Sequence, residues 1–149
     1  MEILEYFGTE NKEYWLDKMK ESDWGAGRYL YKLLKSGTLK QLVGENTRVL
    51  MLTDGNDLVS FCTLAEKDDI QPTDLTPWIG FVYTFPQYRG HRHFGKLLAY
   101  GEALAKAEGK TGIYISTNHI GLYEKYGCEF FKTMKDIEGN DSRVYVKRF

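Results

Sequence analysis

The chain has 149 residues, enough for one domain (1–149) with a sizeable core. Its 20 basic and 21 acidic residues leave a net charge of -1, which argues against a dedicated nucleic-acid binder, whose affinity leans on a basic excess. No apolar run is long enough to span a bilayer, and Met1 to Glu5 lacks the basic and apolar regions of a signal peptide, so a soluble cytoplasmic protein is expected.

In chain order, Tyr14, Trp15, Leu16 and Met19 recur with helical spacing. Ser22 or Asp23 is placed to cap a second helix carrying Tyr29, Leu30, Leu33 and Leu34. Arg48 to Thr53 reads as a strand, Asp54-Gly55 as a turn, and Leu58 to Ala65 as the returning strand of a hairpin. Glu66 to Thr76 is a polar loop, and Trp78 to Phe85 a strand ended by Pro86. Phe94, Leu97, Leu98, Gly101, Leu104 and Ala105 form one apolar stripe on a helix that Gly109 can close. Gly112 to Ser116 is a short strand, Leu122 to Tyr126 a short helix, and Glu129 to Met134 with Arg143 to Val146 a final antiparallel pair. This order predicts an α/β fold: a mixed, mostly antiparallel sheet with helices on both faces. Cys62 and Cys128 sit in apolar contexts without metal-like spacing and read as reduced core thiols.

The most informative stretch is Gln87 to Gly95, a basic turn between a strand and a helix N-terminus. Unpaired N–H groups and the helix dipole make such a turn an anion site, and Arg89 and Arg92 can add charge-assisted contacts. The plainer alternative is a buried strand running into a solvated basic turn. His91 and His93 diverge in a turn leading into a helix and have no carboxylate or cysteine at suitable spacing, so no metal is expected.

Pro86-Gln87-Tyr88-Arg89-Gly90, the basic turn and Lys96-Leu97-Leu98 resemble the pyrophosphate loop and following helix of the GNAT superfamily of acetyl-CoA-dependent N-acetyltransferases. Gly121-Leu122-Tyr123-Glu124-Lys125-Tyr126-Gly127 resembles the short motif after that family's fifth strand, and the order and separation of the two motifs agree. The resemblance implies acetyl-CoA as acyl donor, with its diphosphate on Arg89, Gly90, His91, Arg92, His93, Phe94 and Gly95. It implies a splayed strand whose Val82, Tyr83 and Thr84 bind the pantetheine arm, with Asn118 as a further contact. Arg92 and Phe94 depart from the pattern, standing where the family has small residues.

By the same resemblance Tyr123 protonates the departing thiolate; a core tyrosine is its structural alternative. Attack is expected to be direct, with the oxyanion held by a strand N–H near Val82 or Tyr83. No general base is visible, since the strand from Gly112 to Ser116 carries no acid. A primary amine of a small molecule or peptide is the implied acceptor. Trp15, Trp24, Tyr29 and Tyr31, with Glu66, Asp68, Asp69 and Asp74, are candidates to face it, against the plainer reading of a solvated acidic loop. The rival function is a catalytically silent acyl-CoA-binding module. A homodimer through a sheet edge is compatible with such a fold.

Overall fold

The computed structural model describes residues 1–23 and 25–149; Trp24, one of the candidate acceptor-facing aromatics, lies outside the described residues. Seven strands form one sheet: β1 (Glu2–Glu5), β2 (Arg48–Asp54), β3 (Asp57–Ala65), β4 (Trp78–Thr84), β5 (Gly112–Ser116), β6 (Glu129–Lys135) and β7 (Asp141–Arg148). Their order is β1-β2-β3-β4-β5-β7-β6, and every neighbouring pair is antiparallel except β4–β5. Helices α1 (Lys12–Lys20), α2 (Ala26–Ser36) and α3 (Leu39–Val43) precede β2, and α4 (Phe94–Ala107) joins β4 to β5.

Both faces of the sheet are covered, which explains why β3 is buried almost from end to end. Val59, Cys62 and Leu64 share a core with Leu97, Leu98 and Ala105 of α4. Leu58, Phe61 and Ala65 pack instead with Trp15, Met19 and Leu30 of α1 and α2. The apolar stripe of α4 is buried as its spacing requires, and Gly101 lets the helix approach closely enough that a Cβ there would meet Ile79 Cδ1 at 3.4 Å. Fully burying a leucine such as Leu97 stabilises by roughly 1.5–3 kcal/mol, so Leu97→Ala is the single change best suited to loosen this layer.

Three local expectations differ from the structure. Neither Ser22 nor Asp23 caps α2, whose N-cap is Gly25; Ser22 Oγ donates to Met19 O and Asp23 is bonded to Tyr83. The stretch after β5 is a 3-10 turn, Tyr123–Tyr126, closed by Gly127 at φ +87°. Strand β1 has no counterpart in the sequence reading: four residues are too few for a periodic signal, and pairing with β2 makes them a strand.

The feature that positions the site is the end of the β4–β5 ladder. The two parallel strands pair only at Trp78↔Tyr114 and Ile79↔Ile115. Beyond Ile79, β4 carries a bulge against β3, with Phe81 in the left-handed region at φ +50°. From there β4 and β5 part.

Candidate active site

A cavity of about 610 Å3 occupies the gap between the parted strands. One wall is β4 from Ile79 to Thr84, the other Ile115, Ser116 and Tyr123; the loop after β4 forms its mouth.

The mouth has the chemistry of an anion cradle. The 3-10 turn Pro86–Tyr88 and Gly90 at φ +84° swing the chain back toward the cavity. Among the described residues, no protein acceptor takes the N–H groups of Gly90, His91, Arg92, His93 or Phe94; the first of α4 to be satisfied are Gly95 (to Arg92 O, 3.1 Å) and Lys96 (to His93 O, 3.1 Å). Arg92 adopts φ +55°, a conformation suited to the small residue expected there, so the departure in sequence leaves a glycine-like backbone in place.

The side chains of this loop are not equivalent. Gly90, Arg92 and His93 border the cavity, whereas His91 is exposed outside it, its ring 5.7 Å from that of His93. Loss of solvation, and then Lys96 and His91, hold the His93 imidazole below its ordinary pKa. Arg89 is engaged within the protein: Nε donates to Thr84 O at 2.8 Å and Nη2 pairs with Asp23 at 3.3 Å. Phe94 is buried, its ring edge-on to Tyr123 (5.6 Å) and Tyr126 (5.3 Å). Gly95 lies under Tyr126, where a Cβ would come within 3.3 Å of the ring. Phe94 and Gly95 thus seat the 3-10 turn on α4.

That seating orients Tyr123. The Glu124 carboxylate accepts the Gly121 N–H at 3.1 Å, Cys128 N–H bonds Tyr123 O, and the ring is clamped between α4 and the sheet. Burial, reinforced by Cys62 and Cys128, pushes the phenol above its ordinary pKa, so at neutral pH it is a proton donor. Asn118 is elsewhere: it is exposed, and its Oδ1 accepts the Arg143 N–H at 3.2 Å. His119, also exposed, borders the cavity and bonds Thr117 Oγ1 through its own N–H.

On β4, Val82 faces the α4 side, while Tyr83 faces α1 and α2, stacked on Phe61 at 5.4 Å. Its hydroxyl donates to Asp23 Oδ1 at 2.5 Å and accepts the Asp23 N–H at 2.9 Å. Thr84 Oγ1 is bonded to Ser60 Oγ at 2.9 Å.

Among the candidate acceptor-facing residues the structure is selective. Trp15 is a core residue of α1, Tyr29 packs on Phe81 at 5.6 Å, and α2 instead presents Ala26 and Gly27 to the cavity. Glu66 and Asp74 line a separate hollow with Arg48 and Lys110. Only Asp68 of the acidic loop reaches the cavity. Ile70, buried against Trp78 and Val144, anchors that loop, and Gln71 Nε2 ties it down by donating to Leu42 O (3.1 Å) and Asp68 O (2.8 Å). The Asp68 carboxylate then lies against Gly80, in space a Cβ at position 80 would claim. Desolvation, with the neighbouring Asp69 charge, raises its pKa far above the carboxylate range, to about 8. Sequence reading grouped Asp68 with its loop neighbours; the one signal that separates it, Gly80 in the middle of a strand, acquires meaning only once the loop is folded over it. Among the described residues, no group of three or more His, Cys, Asp or Glu side chains could hold a metal ion, and no helix is long and apolar enough to cross a membrane.

A sheet parted between two parallel strands, with free amides at its mouth and a buried phenol on its wall, forms a channel with an anion-binding end. The family model for the acetyltransferase (GNAT) domain matches residues 35–131, more than half of the chain. The chain belongs to the GNAT acetyltransferases. No curated protein matches it by sequence. Similar solved structures include an acetyltransferase from Streptococcus agalactiae 2603, 21% identical over 99% of this chain and 98% of that one, with a TM-score of 0.66. The aminoglycoside 6'-N-acetyltransferase from Enterococcus faecium is 14% identical over 99% and 97%, with a TM-score of 0.69. The PaiA N-acetyltransferase from Thermoplasma acidophilum, in complex with coenzyme A, is 16% identical over 100% of both chains, with a TM-score of 0.66. At these identities the likeness is one of fold.

Proposed function

We propose that the protein transfers the acetyl group of acetyl-CoA directly to a primary amine of a small molecule or peptide. The observation that carries this reading is the parting of β4 from β5 after Ile79, which opens a channel from the free amides of the loop to Tyr123. In this reading the N–H groups of Gly90 to Phe94 hold the diphosphate, and Arg92 adds charge. Main-chain groups of Val82, Tyr83 and Thr84 bind the pantetheine arm, an N–H near Val82 or Tyr83 faces the thioester oxygen, and Tyr123 protonates the departing thiolate. Direct transfer is favoured because Cys62 and Cys128 are buried, unpaired thiols, both raised in pKa by desolvation and therefore poor nucleophiles. Two reduced thiols also suit the cytoplasm.

The test is release of free thiol from acetyl-CoA against a panel of amines. At least one amine is expected to give turnover, and Tyr123→Phe to lower kcat by roughly a hundredfold while CoA affinity stays within about twofold. Tight CoA binding with no thiol release for any amine would instead support a silent acyl-CoA-binding module.

A further inference from the structure

We propose that Asp68 receives the acceptor as an ammonium ion and takes its proton, and that the acceptor is a compact amine carrying a single positive charge. This rests on the acetyl-transfer reading above and assigns the acceptor end of the same cavity.

Position is the first argument. Ile79 and Val82 face the α4 side of the sheet, as Tyr123 does, whereas Phe81 and Tyr83 face α1 and α2. Asp68 lies against Gly80, which alternates with Ile79 and so belongs to the α1 and α2 side. Asp68 and Tyr123 therefore approach one cavity from opposite sides of β4, one where an amine enters and the other where a thiol leaves. Gly80 makes this possible, because no side chain fits between the strand and the carboxylate.

The second argument is an unmet need. Asp68 forms no ion pair with any cation among the described residues. The groups acting on it are Asp69 beside it on the loop, through its charge, its side chain and a backbone N–H, and Tyr123 across the cavity; neither residue is a cation. Beneath, on β3, the Thr63 hydroxyl is buried with no hydrogen-bond partner among the described residues and would stand 3.2 Å from a Cβ at position 80. A secluded carboxylate without a counter-ion matches an incoming ammonium, which provides the missing charge.

Charge count sets the acceptor class. Among the described residues, Asp68 is the one carboxylate lining the cavity. A compound bearing several ammonium groups would pair one of them and leave the others in the cavity without a counter-charge. A monoamine has no such conflict.

The step balances as follows. Asp68 accepts one proton from R–NH3+ and later releases it to solvent. The nitrogen lone pair forms the C–N bond as the C–S bond breaks, and the sulfur leaves with the proton donated by Tyr123. The second nitrogen proton restores Tyr123, directly or through water. The products are the amide, CoASH and one proton in solution.

The test uses 2-phenylethylamine as a singly charged probe, with spermidine and kanamycin as multiply charged ones. Wild type is expected to turn over the monoamine with at least tenfold higher kcat/KM than either polycation, rising with pH through neutrality. Asp68→Asn should lower kcat/KM a hundredfold or more, flatten that rise and weaken 2-phenylethylamine binding at least tenfold by calorimetry, with CoA affinity within twofold. Gly80→Ala, which keeps the carboxylate but displaces it, should reproduce the loss. Unchanged amine binding and turnover in Asp68→Asn, or preference for a polycation, overturns the assignment. Asp68-dependent amine binding without thiol release would overturn the acetyl-transfer reading and leave the ammonium site standing; absence of both amine binding and thiol release with all three probes overturns both.

Discussion

Arg89 Nη2 lies 3.3 Å from Asp23 Oδ1, so the loop that would hold the coenzyme diphosphate is tied to the connection between α1 and α2. The same carboxylate accepts the Tyr83 hydroxyl, and the Arg89 guanidinium stands over the Tyr83 ring at 5.4 Å. Tyr83 and then Arg89 hold the Asp23 carboxyl below its ordinary pKa. One arginine thus links the loop after β4 to the connection between α1 and α2.

If Arg89 leaves Asp23 to reach a phosphate, breaking this pair opposes coenzyme binding. Asp23→Asn keeps an acceptor for Tyr83 and removes the competing charge. CoA is expected to bind up to about fivefold more tightly, the range of an exposed ion pair, and the gain should shrink at high salt. Titration calorimetry at two ionic strengths decides it; weaker binding in the variant would show that Asp23 organises the loop.

Arg92 at φ +55° carries a backbone cost that glycine would not, of about 1 kcal/mol, partly offset by the greater freedom glycine has when unfolded. Arg92→Gly is expected to raise Tm by about 1–3 °C and to weaken CoA binding through the lost charge. Arg92→Ala should weaken binding without the gain in Tm. A glycine variant with unaltered CoA affinity would remove the guanidinium from the phosphate site.

Asp68 also makes a prediction about stability. A carboxyl whose pKa rises on folding favours the folded state while protonated; that contribution is complete below the ordinary carboxylate value and is lost as pH climbs toward the folded value of about 8. Asp68→Asn, permanently neutral, should match wild type near pH 4 and exceed it at pH 8, by on the order of 2 kcal/mol once the open cavity mouth is allowed for. Urea denaturation at the two pH values measures the difference. A wild type that is the more stable at pH 8 would mean that the carboxylate already has a partner.

Cys62 is fully buried and its thiol is pushed well above the ordinary range, while the less enclosed Cys128 is raised to about 11. Neither is expected to react with iodoacetamide at pH 8 in the native protein, and both should react in denaturant. Mass spectrometry of alkylated peptides reads this directly. Rapid native labelling of Cys128 would indicate that the Tyr123 turn opens.

The sequence by itself determined the order of the elements, the anion loop and the family motif around Tyr123, because each is written in a short stretch. The α4 stripe is a 3.6-residue period, Pro86 and Gly90 are local backbone constraints, and Gly121 to Gly127 is contiguous. Only the tertiary structure decided what the single side chains do. Phe94, counted among the coenzyme contacts, is drawn into the core by Tyr123 and Tyr126, and Asn118 is taken by the β7 amide of Arg143. Asp68 stood among Glu66, Asp69 and Asp74 in a loop without periodicity, where nothing local distinguishes one acid from another. Burial of Ile70 and the bare face of Gly80 select it, and both are tertiary facts: they depend on the loop folding back over β4 and meeting Val144 of β7, which spacing along the sequence does not encode.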